Sequence, residues 1–155
     1  KKDEKQGTIV AGGNGKGDEL NQLNRPEHIF VDREDSIYVS DCYNHRVMKW
    51  LKGAKEGIVV AGGQDHGNSL KQLSVPQGLV VNENGDVFMA DFSNHRVMCW
   101  PSDSKEGYVV VGGNGKGEGS NQLCFPTGLV FDRANNLYVA DRYNHRIQRF
   151  DVDKN

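Results

Sequence analysis

Apolar residues along this chain come in short runs, each bounded by segments rich in Gly, Asn, Asp and Ser. Ile29-Phe30-Val31 is one such run, ending in Asp32. Ser36-Ile37-Tyr38-Val39-Ser40 is β-branched and aromatic, Arg46-Val47-Met48-Lys49-Trp50 alternates, and Thr8-Ile9-Val10-Ala11 is a further apolar run before Gly12-Gly13. Runs of this length and composition predict short strands. Arg33-Glu34-Asp35, Glu83-Asn84-Gly85 and Arg133-Ala134-Asn135-Asn136 supply the tight-turn chemistry between the first two strands of each set. No segment carries a helical period, so the prediction is all-β.

The same set of runs is written three times. Gly12-Gly13 recurs as Gly62-Gly63 and Gly112-Gly113, and Asn44-His45-Arg46 recurs as Asn94-His95-Arg96 and Asn144-His145-Arg146, each at an offset of 50 residues. Asp41, Asp91 and Asp141 keep the same register, as do the Gln22, Leu23 and Pro26 series. A period near 50 with four short strands per unit predicts four-stranded antiparallel propeller blades. The whole chain, 1–155, reads as one such domain, with repeat units at about 7–56, 57–106 and 107–151.

The phase of the repeat cuts inside a blade. The chain opens on the outer-strand segment 7–11 and closes on a third strand, Arg146 to Phe150. The N-terminal strand is therefore able to complete the last blade and hide its open edge. Three blades fall short of the usual 4–8 of a ring. Two arrangements satisfy the pattern: a homodimer that closes a six-bladed ring, or the missing half of a longer propeller. The absence of a starting Met fits a leader or longer N-terminal half removed from the chain. A truncated or engineered half-propeller without a selected ligand is a further reading.

At the repeated residues the pattern resembles a known family. Val39-Ser40-Asp41-x-x-Asn44-His45-Arg46-Val47, repeated as Met89-Ala90-Asp91-x-x-Asn94-His95-Arg96-Val97 and Val139-Ala140-Asp141-x-x-Asn144-His145-Arg146-Ile147, is similar to the NHL repeat. Arg25-Pro26-x-x-Ile29-Phe30-Val31-Asp32 resembles its innermost strand, and Lys55-Glu56-Gly57 to Gly63 resembles its long-spaced subtype. Kelch propellers share a Gly-Gly pair at a similar period but lack the Asp-x-x-Asn-His-Arg signature. The resemblance implies a six-bladed propeller that binds protein or RNA through its loop face. More distant six-bladed relatives include metal-dependent lactonases and an amidating lyase, whose ligands line the central channel.

Composition narrows the function. The chain holds 19 Lys plus Arg against 21 Asp plus Glu, a formal net charge of −2. That balance argues against a strongly basic nucleic-acid binder while leaving room for a local basic patch, and protein or peptide is favoured over RNA. No apolar run approaches the ~18 residues of a membrane helix, so the expectation is a soluble chain; its compartment stays open. The three cysteines, Cys42, Cys99 and Cys124, fall at three different repeat positions and read as buried thiols without a catalytic base.

The Asn-His-Arg triplets invite a metal or acid–base reading, but a motif present in every blade reads as structural. Asp41, Asp91 and Asp141 are expected to accept hydrogen bonds from the turn and Asn44, Asn94 and Asn144 to cap it. His45, His95 and His145, with Arg46, Arg96 and Arg146, are expected to tie the strands to the neighbouring blade. Gly12-Gly13-Asn14-Gly15-Lys16-Gly17 is not a phosphate loop, because no Ser or Thr follows Lys16 and no helix follows the loop. It is expected to be a flexible crossing between blades. The inner strands, from His28, Gly78 and Gly128, are almost wholly apolar, which argues against a channel-lining metal site. The reading is therefore no catalytic residue, no metal and no cofactor.

Positions where the repeats differ are the candidates for binding, since shared residues are committed to folding. They are Lys16, His66 and Lys116; Glu27, Gln77 and Thr127; His28; and, in the second-to-third strand turn, Tyr43, Phe92, Arg142 and Tyr143. Aromatics with cations suit a peptide or single-stranded RNA.

Overall fold

The computed structural model describes residues 5–152. Among the described residues eleven strands form three antiparallel sheets. The first holds β1 (Pro26–Val31), β2 (Ile37–Asp41), β3 (Arg46–Trp50) and β4 (Ile58–Gly62) in that order. The second repeats it with β5 (Pro76–Val81), β6 (Val87–Asp91), β7 (Arg96–Trp100) and β8 (Tyr108–Gly112). The third has β9 (Pro126–Phe131), β10 (Asn136–Asp141) and β11 (Arg146–Asp151), and no fourth strand among the described residues. The three sheets do not close into a ring. No helix is long and apolar enough to cross a membrane among the described residues.

Each turn from first to second strand is set by one side chain. Asp32 Oδ1 accepts the N–H of Glu34 at 3.0 Å and of Ser36 at 2.8 Å. Asn82 and Asp132 do the same in the other two blades. The left-handed residue each turn needs is Asp35, Gly85 or Asn135, at φ 61°, 84° and 59°. Gly, Asn and Asp tolerate that region best.

The sheets pack face to face. Tyr38, Val47 and Ala61 of the first sheet bury against Leu79, Val87, Met89, Met98 and Trp100 of the second, with Leu73 between them. Val97 of the second buries with Leu123, Leu137 and Val139 of the third unit.

One predicted strand is missing. Thr8-Ile9-Val10-Ala11 has no strand structure, although its equivalents are β4 and β8. The reason is pairing: β4 bonds to β3 and β8 to β7, whereas residues 8–11 precede the first blade and have no third strand beside them in their own chain. A strand needs a partner for its backbone N–H and C=O groups.

Candidate functional site

The repeated triplet builds the frame of one face. Between second and third strands the chain makes a single 3₁₀ turn, ended by His45, His95 or His145 at φ 53°, 54° and 52°. His is among the side chains that accept this left-handed region most readily. Asp41, wholly buried, accepts from Asn24 N–H at 2.7 Å, Asn44 Nδ2 at 2.8 Å and Arg46 Nε at 2.8 Å. Asp91 and Asp141 have the corresponding partners. The expected role of the Asp therefore holds, whereas the Asn caps no backbone group of the turn and donates to Asp41 Oδ2 and to Gly17 O in the crossing loop, each at 2.8 Å.

The Arg does something other than expected. Arg46 donates to the carbonyls of Asp18 at 2.6 Å, Glu19 at 3.0 Å and Gln22 at 3.2 Å, all in the crossing loop of its own repeat. Arg96 and Arg146 do likewise. Only the His reaches the next blade: His45 Nδ1 accepts Val75 N–H at 3.2 Å, and His95 Nδ1 accepts Phe125 N–H at 3.1 Å. Sequence spacing cannot separate these roles, because both residues face loops adjacent in space and distant in sequence.

The crossing loop is also tied down instead of free. Gln22 Nε2 donates to Asn14 O at 3.0 Å, Asn14 Nδ2 donates to Asn21 O at 3.1 Å, and Lys16 forms a parallel bridge with Leu23. The third copy has the same bonds. The guanidinium bonds and this internal ladder satisfy loop carbonyls that would otherwise rely on water.

On this frame the varying residues gather in two groups. In the second and third units Phe125 is the hub. Its ring centroid lies 4.8 Å from Phe92, 4.5 Å from His95 and 5.0 Å from Tyr143. Lys116 Nζ sits 5.2 Å over the Phe125 ring, and the Arg142 guanidinium 5.6 Å over the Tyr143 ring. Lys116, Arg142 and Tyr143 are exposed. In the first unit Arg25 donates to the Tyr43 hydroxyl and pairs with Glu27 at 2.7 Å, its guanidinium 4.9 Å from the Tyr43 ring centre. Phe125 and Arg25 were missed by the sequence reasoning. The signal was present, since position 25/75/125 reads Arg, Val and Phe.

The other candidates lie elsewhere or serve the frame. His66 stands against His45 with ring centroids 5.5 Å apart. Burial, then the charge of His66, holds the His45 imidazole below the ordinary histidine value; burial and Lys116 do the same to His95. Gln77 is spent at a blade boundary, where its carbonyl accepts from Ser40 Oγ and its Nε2 donates to Cys42 Sγ at 3.6 Å. Thr127 and His28 are half-buried within β9 and β1, and Lys16 is exposed on its loop. All three cysteines are free and buried. Burial, then the charges of Glu27 and Asp41, pushes the Cys42 thiol up to about 12, which opposes a nucleophilic role. Among the described residues no group of three His, Cys, Asp or Glu could hold a metal ion.

Comparison with known proteins agrees with this geometry. The NHL repeat model matches residues 73–100 and 123–150, the second and third copies of the motif. No curated protein matches the chain. Among solved structures, a protein of unknown function from Bacteroides thetaiotaomicron is similar at TM-score 0.66 and 16% identity, covering 80% of this chain and 34% of its own. An auxiliary nutrient binding protein from the same organism is similar at TM-score 0.62 and 19% identity, covering 79% and 36%. A catalytically inactive virginiamycin B lyase from Staphylococcus aureus, with quinupristin, is similar at TM-score 0.58 and 14% identity, covering 92% and 41%. The chain thus spans between about a third and two fifths of the length of these structures, and at such identities the likeness is one of fold.

Proposed function

The chain carries NHL repeats folded as propeller blades, and from that premise we propose that it is a non-enzymatic interaction scaffold whose loop face holds a protein or peptide partner. The observation that supports this is the Phe125 cluster. Phe92, Phe125 and Tyr143 form a continuous aromatic strip, edged by Lys116 and Arg142. A strip of rigid rings presents large apolar area at low entropic cost, and the flanking cations favour acidic residues beside the apolar anchor. An extended peptide combining apolar and acidic side chains fits this chemistry. The balanced net charge favours such a ligand over RNA, whose affinity depends on releasing many counterions.

Selection of a displayed random-peptide library on the chain, followed by fluorescence polarisation with a selected peptide, tests the reading. The expected outcome is acidic–apolar peptides, with affinity lost at least about tenfold in Tyr143→Ala and in Lys116→Glu, both exposed positions. Polarisation with single-stranded RNA across a salt series runs in parallel. Tight RNA binding with a steep salt slope would replace the peptide reading by an RNA-binding one. Peptide binding unaffected by both variants would remove the loop face from the function.

A further inference from the structure

The two blade boundaries inside this chain are built to one plan, and that plan leaves a donor facing outward. At the first, His45 Nδ1 accepts Val75 N–H at 3.2 Å; at the second, His95 Nδ1 accepts Phe125 N–H at 3.1 Å. A neutral imidazole that accepts at Nδ1 carries its proton on Nε2. Among the described residues neither Nε2–H has an acceptor, and no buried side-chain nitrogen or oxygen lacks a partner. Both donors therefore open to the surface.

The crossing loop of the following repeat sets one residue against each ring. At the second boundary it is Lys116, whose charge acts on His95 and whose Nζ lies 5.2 Å over Phe125. At the first it is His66, its ring centroid 5.5 Å from that of His45. Both residues are exposed, and their backbones are fixed by bridges to the buried Leu73 and Leu123. Neither side chain has an ion pair or hydrogen bond among the described residues. Acidic groups do not fill these places. Of the charges acting on His45, that of His66 is the largest, ahead of Asp41 and Asp65. Asp41 is committed to Asn24, Asn44 and Arg46, and Asp65 is exposed beside His66 on the same loop. Among the described residues no carboxylate acts on His95.

We propose that His45 and His66 form a second acid-binding subsite on the loop face, one blade from the Phe125 hub, so that an extended acidic–apolar peptide lays one carboxylate there and another against His95 and Lys116. The subsite rests on the peptide reading of the loop face and deepens it. A carboxylate has two oxygens and accepts at both. One takes His45 Nε2–H and the other a ring N–H of His66. His45 gives its bond as a neutral ring, because a proton on Nδ1 would face the Val75 N–H.

The two boundaries differ in their apolar side. Val75 and Ser93 stand at the first where Phe125 and Tyr143 stand at the second. The first subsite therefore takes an acidic residue without an aromatic anchor, and the second takes the apolar residue with its acidic neighbour. Lys16 and Lys116 hold the His66 position in the other two repeats, so lysine is the conservative replacement there.

A blocked nonapeptide, phenylalanine flanked on each side by four glutamates, is the probe. Histidine ring 1H–15N correlation spectra of the chain read His45 and His95 separately as the peptide is added. Both rings are expected to shift. In His66→Glu, an exposed position, the His45 shift is expected to vanish and the His95 shift to stay. Affinity by fluorescence polarisation should then fall about fivefold, the worth of one charge-assisted hydrogen bond near the surface. His66→Lys is expected to keep both the His45 shift and the affinity. A His95 shift with none at His45 would overturn the second subsite and leave the Phe125 reading standing. A His45 shift that survives His66→Glu, or that disappears equally in His66→Lys, would overturn it as well. No shift at either ring would overturn the subsite and the loop-face reading together.

Discussion

Replacing Asp91 by Ala removes the centre of the second blade's polar network, and its consequence can be worked from the structure. The Asp91 carboxylate is fully buried and accepts from Ser74 N–H at 2.7 Å, Asn94 Nδ2 at 2.8 Å and Arg96 Nε at 2.7 Å. Arg96 is itself 5% exposed and stays in place through the carbonyls of Asn68, Ser69 and Gln72. The variant therefore leaves a buried cation without its counter-ion. Breaking such a pair from one side costs about 3–5 kcal/mol. The orphaned Ser74 N–H alone would account for about 1–3 kcal/mol, which overlaps this figure and is not added to it. Asp141→Ala removes the corresponding contacts and one further bond, from Gln148 Nε2 at 3.2 Å, but the Arg146 side chain is 31% exposed and water can replace the carboxylate. We expect a loss of about 4 kcal/mol at Asp91 and about 2 kcal/mol at Asp141. Urea unfolding followed by circular dichroism measures both. Equal losses at the two sites, or a loss under about 1 kcal/mol at Asp91, would refute the argument that burial of the guanidinium sets the penalty.

Two further predictions concern the frame. His45 and His95 act as neutral acceptors, and both are held below the 6.5 of a free imidazole, chiefly by burial. Unfolded histidines bind more protons between the two values, so their contribution to stability is complete above pH 6.5 and is lost as pH falls through that value towards the folded one. Thermal unfolding should show a falling Tm from pH 7 to pH 5, reduced in His66→Gln, which removes the second charge acting on His45; a Tm independent of pH over this range would contradict it. Gly62→Ala should cost more than about 2 kcal/mol, because the left-handed backbone adds roughly 1–2 kcal/mol to a Cβ placed 2.4 Å from the His45 carbonyl oxygen. Gly15→Ala, also left-handed but facing open space, should cost only about 1 kcal/mol; denaturant midpoints of the two variants compare them directly.

The repeat at offset 50 and its four runs were enough to place the three blades, the turns between first and second strands and the structural role of each Asp. Those features depend on local alternation and turn chemistry, which a sequence carries in order. Spacing anticipated that the triplet histidine ties neighbouring blades, but not which backbone group it meets, nor that the arginine beside it stays within its own repeat. Arg46 and His45 are neighbours, yet one reaches back to Asp18 and the other forward to Val75. Phe125 joins Phe92, His95 and Tyr143 only because the backbone at Phe125 turns left-handed and brings separate loops together.

The fate of residues 8–11 marks the division most clearly. Their sequence has the apolar character of β4 and β8, and by itself it determines that they can be a strand. Whether they are one depends on a neighbour that presents free N–H and C=O groups at the right spacing, which the tertiary arrangement of this chain places at β11, two blades away. Propensity belongs to a segment, whereas a sheet hydrogen bond belongs to two, and only their positions in space decide whether they meet.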